Sequence, residues 1–143
     1  MEWTWEVLTP IDPSRFYPKF GLIPATVAVR DQTGPWNEVE QTRTLLLSDR
    51  GSVVETITDV EKPGFFAYEL TEFTKLFKVL VHHARAEWRF TPDSEGTRVD
   101  WTYAFTARKG WGLAVTLIVR LAWEPYMRHV LPEIIHEAER LAP

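Results

Sequence analysis

The chain has 143 residues, no cysteine, and 16 basic against 20 acidic residues, for a net charge of −4. This length is typical of one domain, and the lack of cysteine excludes disulfides, thiolate metal sites and cysteine nucleophiles. The charges are interspersed without a Lys/Arg block, which argues against a nucleic-acid partner. We therefore expect a single domain over residues 1–143. We also expect it to be cytoplasmic with no integral membrane segment, because no signal peptide or long apolar run is present.

The N-terminal quarter predicts one strand, a short turn of helix and a loop. EWTWEVL alternates apolar and polar residues and predicts a first strand. The next segment contains four prolines, so it predicts no more than a helical turn, with Asp12 as its cap and Pro13 at its first position. DQTGPWN then predicts a loop.

The middle of the chain predicts a meander of antiparallel strands. Alternating segments are separated by the turn-forming sequences DRG, EKPG and PDSE, which are too short for parallel crossovers. KLFKVL, at 75–80, fits either a helical turn or a continued strand. The predicted strands are EVEQTRTLLLS, SVVETITDV, GFFAYELTEF, VHHARAEWRF and GTRVDWTYAF.

The last two of these strands place many aromatic rings on one face of a hairpin. A four-residue loop at 92–95 would put Trp88 opposite Val99. The other inward residues would then form pairs at intervals of two residues along both strands. Directly opposed side chains interact, so the rings either pack as a core or line a pocket. The remaining predicted pairs are Ala86 with Trp101, Ala84 with Tyr103, and His82 with Phe105.

The strands on either side of EKPG predict a second apolar wall. Its register is open, since a slip of one residue would turn every side chain to the other face. The residues predicted to share this wall are Thr56, Thr58, Val60, Phe66, Tyr68 and Leu70.

The last third predicts an amphipathic helix. Pro125 and Pro132 each lack an N–H donor, so they predict kinks or a break. We expect 111–124 to be bent relative to the helix that follows Pro125. The apolar face of this helix contains Trp123, Met127, Val130, Leu131, Ile134, Ala138 and Leu141, with Tyr126 and Met127 predicted near the bend.

The polar residues give candidates for binding but no metal site. His82 and His83 point to opposite faces of a strand, and His129 and His136 are about two helical turns apart, so no metal ligand set and no cofactor are predicted. His82 is expected to face the apolar side, either as a hydrogen-bonding wall residue or as a general base.

Arg43 and Glu55 lie on neighbouring predicted strands among apolar residues. They are either an ion pair on the solvent face or groups at a cavity that orient a ligand. Tyr68, Tyr103 and Tyr126 are further candidate donors to a ligand carbonyl.

The stretch TRTLLLSDRGSVVETITDVEKPGFFAYEL, taken with the order of the elements, resembles the START/Bet v1-like (SRPBCC) superfamily and its polyketide cyclase/dehydrase-like branch. In that resemblance Arg43, Gly51, Glu55, Pro63 and Tyr68 take family positions. It implies an α+β helix-grip fold, in which a curved antiparallel sheet wraps around a long C-terminal helix over an apolar cavity.

Three functions follow as expectations. The first is binding of a small hydrophobic molecule, lipid-like or polycyclic, in that cavity. The second is a polyketide aromatase/cyclase that uses the same cavity, and the third is an interaction protein that docks through 111–123, with the chain a monomer or homodimer. The residues expected to line the site are Arg43, Glu55, Phe66, Tyr68, Leu70, His82, Ala84, Ala86, Trp88, Trp101, Tyr103, Phe105, Trp123, Tyr126, Met127, Val130 and Ile134.

Overall fold

A computed structural model describes residues 2–10, 13–15, 17 and 23–141. Within this part of the chain, one six-stranded antiparallel sheet has its strands in sequence order. The strands are β1 (Thr26–Arg30), β2 (Thr42–Leu47), β3 (Ser52–Glu61), β4 (Phe65–Thr71), β5 (Val81–Asp93) and β6 (Gly96–Ala107).

Helices cover one side of the sheet and one end of it. The last three helical segments form one continuous stretch, because the backbone between them keeps helical dihedral angles. The helices are α1 (Glu2–Leu8), a 3₁₀ turn (Pro13–Arg15), α2 (Lys75–Leu80), α3 (Gly112–Ile118), a π-helical turn (Val119–Trp123) and α4 (Glu124–Arg140). This is the α+β helix-grip arrangement that the resemblance implied.

The N-terminal prediction of a strand was wrong, because EWTWEVL forms helix α1. Seven residues fit both periods, and the helical one buries Trp5 and Leu8, which are three apart. Trp5 then meets Phe66 and Phe90 edge-on, with ring centroids 6.1 and 5.6 Å apart. Tertiary packing of these rings therefore decides the conformation of the segment.

Three further predictions concern the loop DQTGPWN, the segment KLFKVL and the helical turn at Pro13. The loop at DQTGPWN is confirmed, and the strand TVAVR that precedes it as β1 was not predicted. The ambiguous KLFKVL forms helix α2. The predicted helical turn is present at Pro13–Arg15, whereas its predicted cap, Asp12, lies outside the described residues.

The β5–β6 hairpin is displaced by two residues from the predicted register. Asp93 pairs with Gly96 around a two-residue turn, so Trp88 lies opposite Trp101 instead of Val99, and Ala86 lies opposite Tyr103. Because side chains alternate with a period of two, this shift leaves every ring on the predicted face.

Irregularities in two strands turn other side chains away from the predicted face. A bulge in β5 between Val81 and His83 leaves His82 exposed. In β3 the buried residues are Val53, Glu55 and Ile57, so the predicted inward positions of Thr56 and Thr58 were wrong.

The helix is not broken at Pro125 or at Pro132, and a π-helical turn precedes Pro125. The N–H of Glu124 donates to the carbonyl of Val119, five residues back, and the helix continues through Pro125. π-Helical turns accommodate an irregularity without ending the helix and are frequent at functional sites. No helix in the described part of the chain is long and apolar enough to cross a membrane.

Candidate functional site

A cavity lies between the inner face of the sheet and the π-helical turn, towards α2. Its wall is mainly apolar, with one carboxylate and three phenols. The lining residues are Tyr17, Ile23, Pro24, Thr26, Leu45, Leu47, Val53, Glu55, Leu70, Phe73, Phe77, Tyr103, Phe105, Trp123 and Tyr126.

The cavity is small in this conformation. Its volume is about 70 Å³, whereas ligand sites of drug-sized molecules measure roughly 300–1,000 Å³. A second void of about 10 Å³ lies beside it, and Phe77, Phe105 and Trp123 line both. Those three rings therefore separate two spaces that would join if the rings turned.

A wider groove of about 560 Å³ lies elsewhere, between α1, the β5–β6 turn and the end of α4. Its rim carries Asp93, Glu95 and Glu139, and five of its eleven lining residues are exposed to solvent. An open, acidic groove does not remove an apolar ligand from water, so the inner cavity is the better candidate site.

Arg43 and Glu55 form a buried ion pair next to the cavity. They lie opposite each other in β2 and β3, and Arg43 Nε donates to Glu55 Oε1 at 2.7 Å. Both residues are at most 5% exposed, and the Arg43 guanidinium also stacks 4.0 Å from the ring centre of Trp36. Glu55 lines the cavity and Arg43 lies behind it. The sequence left open whether the two residues lie on the solvent face or the inner face of the sheet, and both lie on the inner face.

Four buried tyrosines at or beside the cavity stay protonated at neutral pH. Burial away from water raises the pKa of Tyr68 to about 12, and burial likewise raises the pKa of Tyr17, Tyr103 and Tyr126 above the ordinary value. The Tyr68 and Tyr103 hydroxyls are 3.3 Å apart. The cavity wall therefore presents phenol O–H groups, which can donate a hydrogen bond to an acceptor.

The indole of Trp123, whose side chain lines the cavity, carries a further buried donor. Its Nε1 is buried and has no hydrogen-bond partner among the described residues, and the same holds for Trp36 and Trp101. A buried N–H without an acceptor is costly, and Trp123 is the one of the three that lines the cavity.

Six of the residues expected at the site line the cavity, and most of the others lie in the packed core. Trp88 and Trp101 stack with their centroids 4.9 Å apart in the core, away from the cavity. The six at the cavity are Glu55, Leu70, Tyr103, Phe105, Trp123 and Tyr126. The ten that do not line it but are buried or packed against the core are Arg43, Phe66, Tyr68, Ala84, Ala86, Trp88, Trp101, Met127, Val130 and Ile134.

His82 was expected to face the apolar side of the sheet, and the structure exposes it to solvent instead. The bulge in β5 exposes its ring, which contacts His83 with the two Nδ1 atoms 2.9 Å apart. His82 therefore does not line the cavity. Among the described residues, no cluster of histidine and carboxylate side chains has the arrangement of a metal site.

Sequence reasoning missed the part of the wall contributed by the N-terminal third and by α2. Leu45, Leu47 and Val53 follow from alternation with Arg43 and Glu55, once those two are placed inward. Tyr17, Phe73 and Phe77 lie on irregular or short segments, and no periodicity in the sequence marks them as inward.

The sequence profile of the family described as "Polyketide cyclase / dehydrase and lipid transport" matches residues 4–139. No curated protein sequence matches the chain. Solved structures with a similar fold include the protein XoxI from Bacillus cereus, with 11% identity, a TM-score of 0.60, and coverage of 94% of this chain and 87% of that one.

Two further similar structures support the same fold. One is a putative uncharacterized protein from Bacillus thuringiensis, with 11% identity, a TM-score of 0.58, and coverage of 92% of this chain and 88% of that one. The other is Ara h 8.0201, with 10% identity, a TM-score of 0.57, and coverage of 90% and 86%.

Proposed function

We propose that this chain, which belongs to the polyketide cyclase/dehydrase and lipid transport family, binds a small apolar molecule that carries an oxygen acceptor. The observation that carries the proposal is the composition of the cavity wall. Apolar side chains surround it, and beside the Glu55 carboxylate and the Thr26 hydroxyl its polar groups are the phenols of Tyr17, Tyr103 and Tyr126, with the buried, unpartnered indole N–H of Trp123 next to it. Binding sites of this kind are mostly apolar with a few polar groups that fix orientation.

A ketone, ester or related carbonyl oxygen fits these donors. The Glu55 carboxylate is already paired with Arg43, so an anionic ligand at the same wall would meet a neutralised pair and gain little attraction. A ligand without any acceptor would leave the Trp123 N–H unsatisfied, which is unfavourable in a buried site.

Ligand entry requires the cavity to grow. An engineered apolar cavity of roughly 150 Å³ holds benzene, and the present volume is about half of that. Rotation of Phe77 and Trp123 would join the cavity to the neighbouring void, because both rings line each space. Phe77 is on the six-residue helix α2 and Trp123 is on the π-helical turn, and these are the least regular elements around the site.

The second candidate function is cyclisation of a poly-β-keto chain. Glu55 favours it, as the only carboxylate among the described residues that line the cavity. A base at this position would take a proton from an activated methylene and a tyrosine would stabilise the enolate. The small volume favours binding over this reaction, because a folded polyketide chain needs more space than the cavity offers.

Native mass spectrometry of the purified protein tests the proposal. We expect an adduct that dissociates under denaturing conditions and whose mass corresponds to an apolar molecule with at least one carbonyl group.

A substitution tests the hydrogen-bond donors of the cavity wall, which we call the donor wall. Tyr103→Phe should weaken binding of an aromatic ketone by about 2- to 10-fold, the value of one hydrogen bond. An aromatic hydrocarbon of the same shape is the control, and Tyr103→Phe should leave its affinity unchanged. Equal losses for both probes would contradict the assignment of Tyr103 as a donor.

A further inference from the structure

Helix α3 and the π-helical turn present an apolar stripe to solvent. Leu113, Leu117 and Leu121 are spaced four residues apart and are 76%, 50% and 75% exposed. Trp111, at the start of α3, is 43% exposed. Val115 is buried on the other side of α3, against Leu80 and Val81. The outward leucines therefore do not take part in the core.

Basic residues surround this stripe on a chain that is acidic overall. Residues 73–81 and 106–123 contain Lys75, Lys78, Arg108, Lys109 and Arg120, and none of the 20 acidic residues. Arg108 also donates from Nε to the carbonyl of Lys78 at 2.6 Å, which fixes the end of β6 against α2. Five of the 16 basic residues thus lie in two segments without an acidic residue, and Glu72 and Glu124 flank these segments.

Most of these charges are free to interact with an external partner. Lys75, Lys78, Lys109 and Arg120 form no ion pair with any described carboxylate, and all four are exposed. Exposed Leu and Trp flanked by unpaired Lys and Arg are the composition of helices that lie in the interface of a lipid bilayer.

We propose that this face, defined as Trp111, Leu113, Leu117 and Leu121 with the five basic residues around them, docks peripherally on an anionic lipid bilayer. Leucines would enter the interface, and lysines and arginines would lie at the level of the anionic head groups. The proposal goes beyond ligand binding in the cavity and does not depend on it.

Charge argues against a second copy of the chain as the partner. A twofold interface brings the same surface patch from both subunits together, so it would place these basic residues against their own copies at an unfavourable cost. An anionic bilayer complements the same charges. The three leucines are exposed and line none of the cavities described above, so they form no pocket that would receive a side chain of a protein partner.

The leucine stripe and part of the cavity wall lie on opposite sides of the same helical stretch. Val119 and Trp123 belong to the same helical stretch as the leucine stripe, and they line the void or the cavity on its inner side. A protein docked through α3 would hold the rings that border the cavity next to the apolar phase of the bilayer. An apolar ligand would then pass between bilayer and cavity without crossing water.

Vesicle flotation with the intact protein tests the proposal. We expect binding to phosphatidylcholine vesicles that contain phosphatidylglycerol and much weaker binding to phosphatidylcholine alone. Leu113→Glu combined with Leu117→Glu should reduce binding at least tenfold. Val27→Glu combined with Val39→Glu is the matched control, because those valines are 55% and 49% exposed on another part of the surface. The control should bind as the wild type does.

Charge is tested separately. Lys109→Ser and Arg120→Ser should each weaken binding to the anionic vesicles by about fivefold, and circular dichroism checks that every variant is folded. Absence of wild-type binding, equal binding to neutral vesicles, or equal loss in the valine control would overturn the proposal. A wild-type dimer in light scattering that becomes monomeric in the leucine variant would also overturn it, since the face would then be covered by a second copy.

Discussion

At the scale of single residues, Arg43 and Glu55 place two opposite charges out of water beside an apolar cavity. Their 2.7 Å contact offsets the cost of burying each of them. We predict that Arg43→Met destabilises the protein by about 3–5 kcal/mol, because it leaves Glu55 buried without its partner. The measurement is the free energy of unfolding in urea.

The double variant Arg43→Met with Glu55→Leu measures the coupling between the two charges separately from the effect of each substitution. It replaces both charges by apolar groups, so its free energy of unfolding should be higher than that of Arg43→Met alone. If the effects of the two single substitutions simply add in the double variant, then the pair is not coupled as the geometry requires.

The four tyrosines give a second prediction at this scale. The native protein holds their protons more tightly than the unfolded chain does, because burial raises all four pKa values above the ordinary tyrosine value of 10.0. Their contribution to stability is therefore complete below pH 10 and is lost as the pH rises above it.

An alkaline titration followed by tyrosinate absorbance measures this. We expect almost no tyrosinate at a pH where free tyrosine is half ionised, and then a cooperative increase together with unfolding. Gradual ionisation of one or more tyrosines near pH 10 in the folded protein would show that they are accessible to water, and would remove them from the donor wall.

At the scale of elements, the helical stretch 112–140 contains two prolines in different settings. Pro125 follows the π-helical turn, where the bonding pattern is already altered, whereas Pro132 lies inside α4. An interior proline removes an N–H and clashes with the preceding turn, at a cost of about 3 kcal/mol. We predict that Pro132→Ala stabilises the protein more than Pro125→Ala does.

Thermal unfolding of the two variants gives the comparison, and each proline serves as the control for the other. If Pro125→Ala is the more stabilising substitution, the π-helical turn does not relieve the strain of Pro125 and is itself a strained feature.

Some features of these elements could be predicted from the sequence and others could not. The aromatic face of β5 and β6 was predictable because an error of two residues in register preserves the face. The place of His82 was not, because one bulged residue inverts the alternation and no residue type marks the bulge. The segment EWTWEVL fits both periods over seven residues, and only its contact with Phe66 and Phe90 selects the helix.

The same reasoning explains which part of the site was predictable. Leu70, Tyr103 and Phe105 follow from the alternation of their strands, whereas the face of Glu55 did not, because the alternation assumed for its strand placed Thr56 and Thr58 inward. The cavity volume is the space left between the sheet and the helices, so it depends on the packing of Phe77 and Trp123 and has no local signature in the sequence.

At the scale of the whole molecule, the sheet and the C-terminal helix close over a core at one end and a cavity at the other. Stacked Trp88 and Trp101 belong to the core, and the donor wall belongs to the cavity. The central claim is that this cavity binds an apolar molecule with an acceptor oxygen. A substitution that fills the cavity should therefore abolish binding without affecting the fold.

Leu46 and Leu47 are consecutive in β2 and allow this test with a matched control. Leu47 lines the cavity, and Leu46 does not and points to the other face of the sheet. The measurement is the affinity for a fluorescent naphthyl ketone, by titration of wild type, Leu47→Phe and Leu46→Phe. We expect tight binding for the wild type and Leu46→Phe and at least a tenfold loss for Leu47→Phe, with all three folded. Equal affinities for Leu47→Phe and the wild type would contradict it, because the ketone would then be bound outside the cavity.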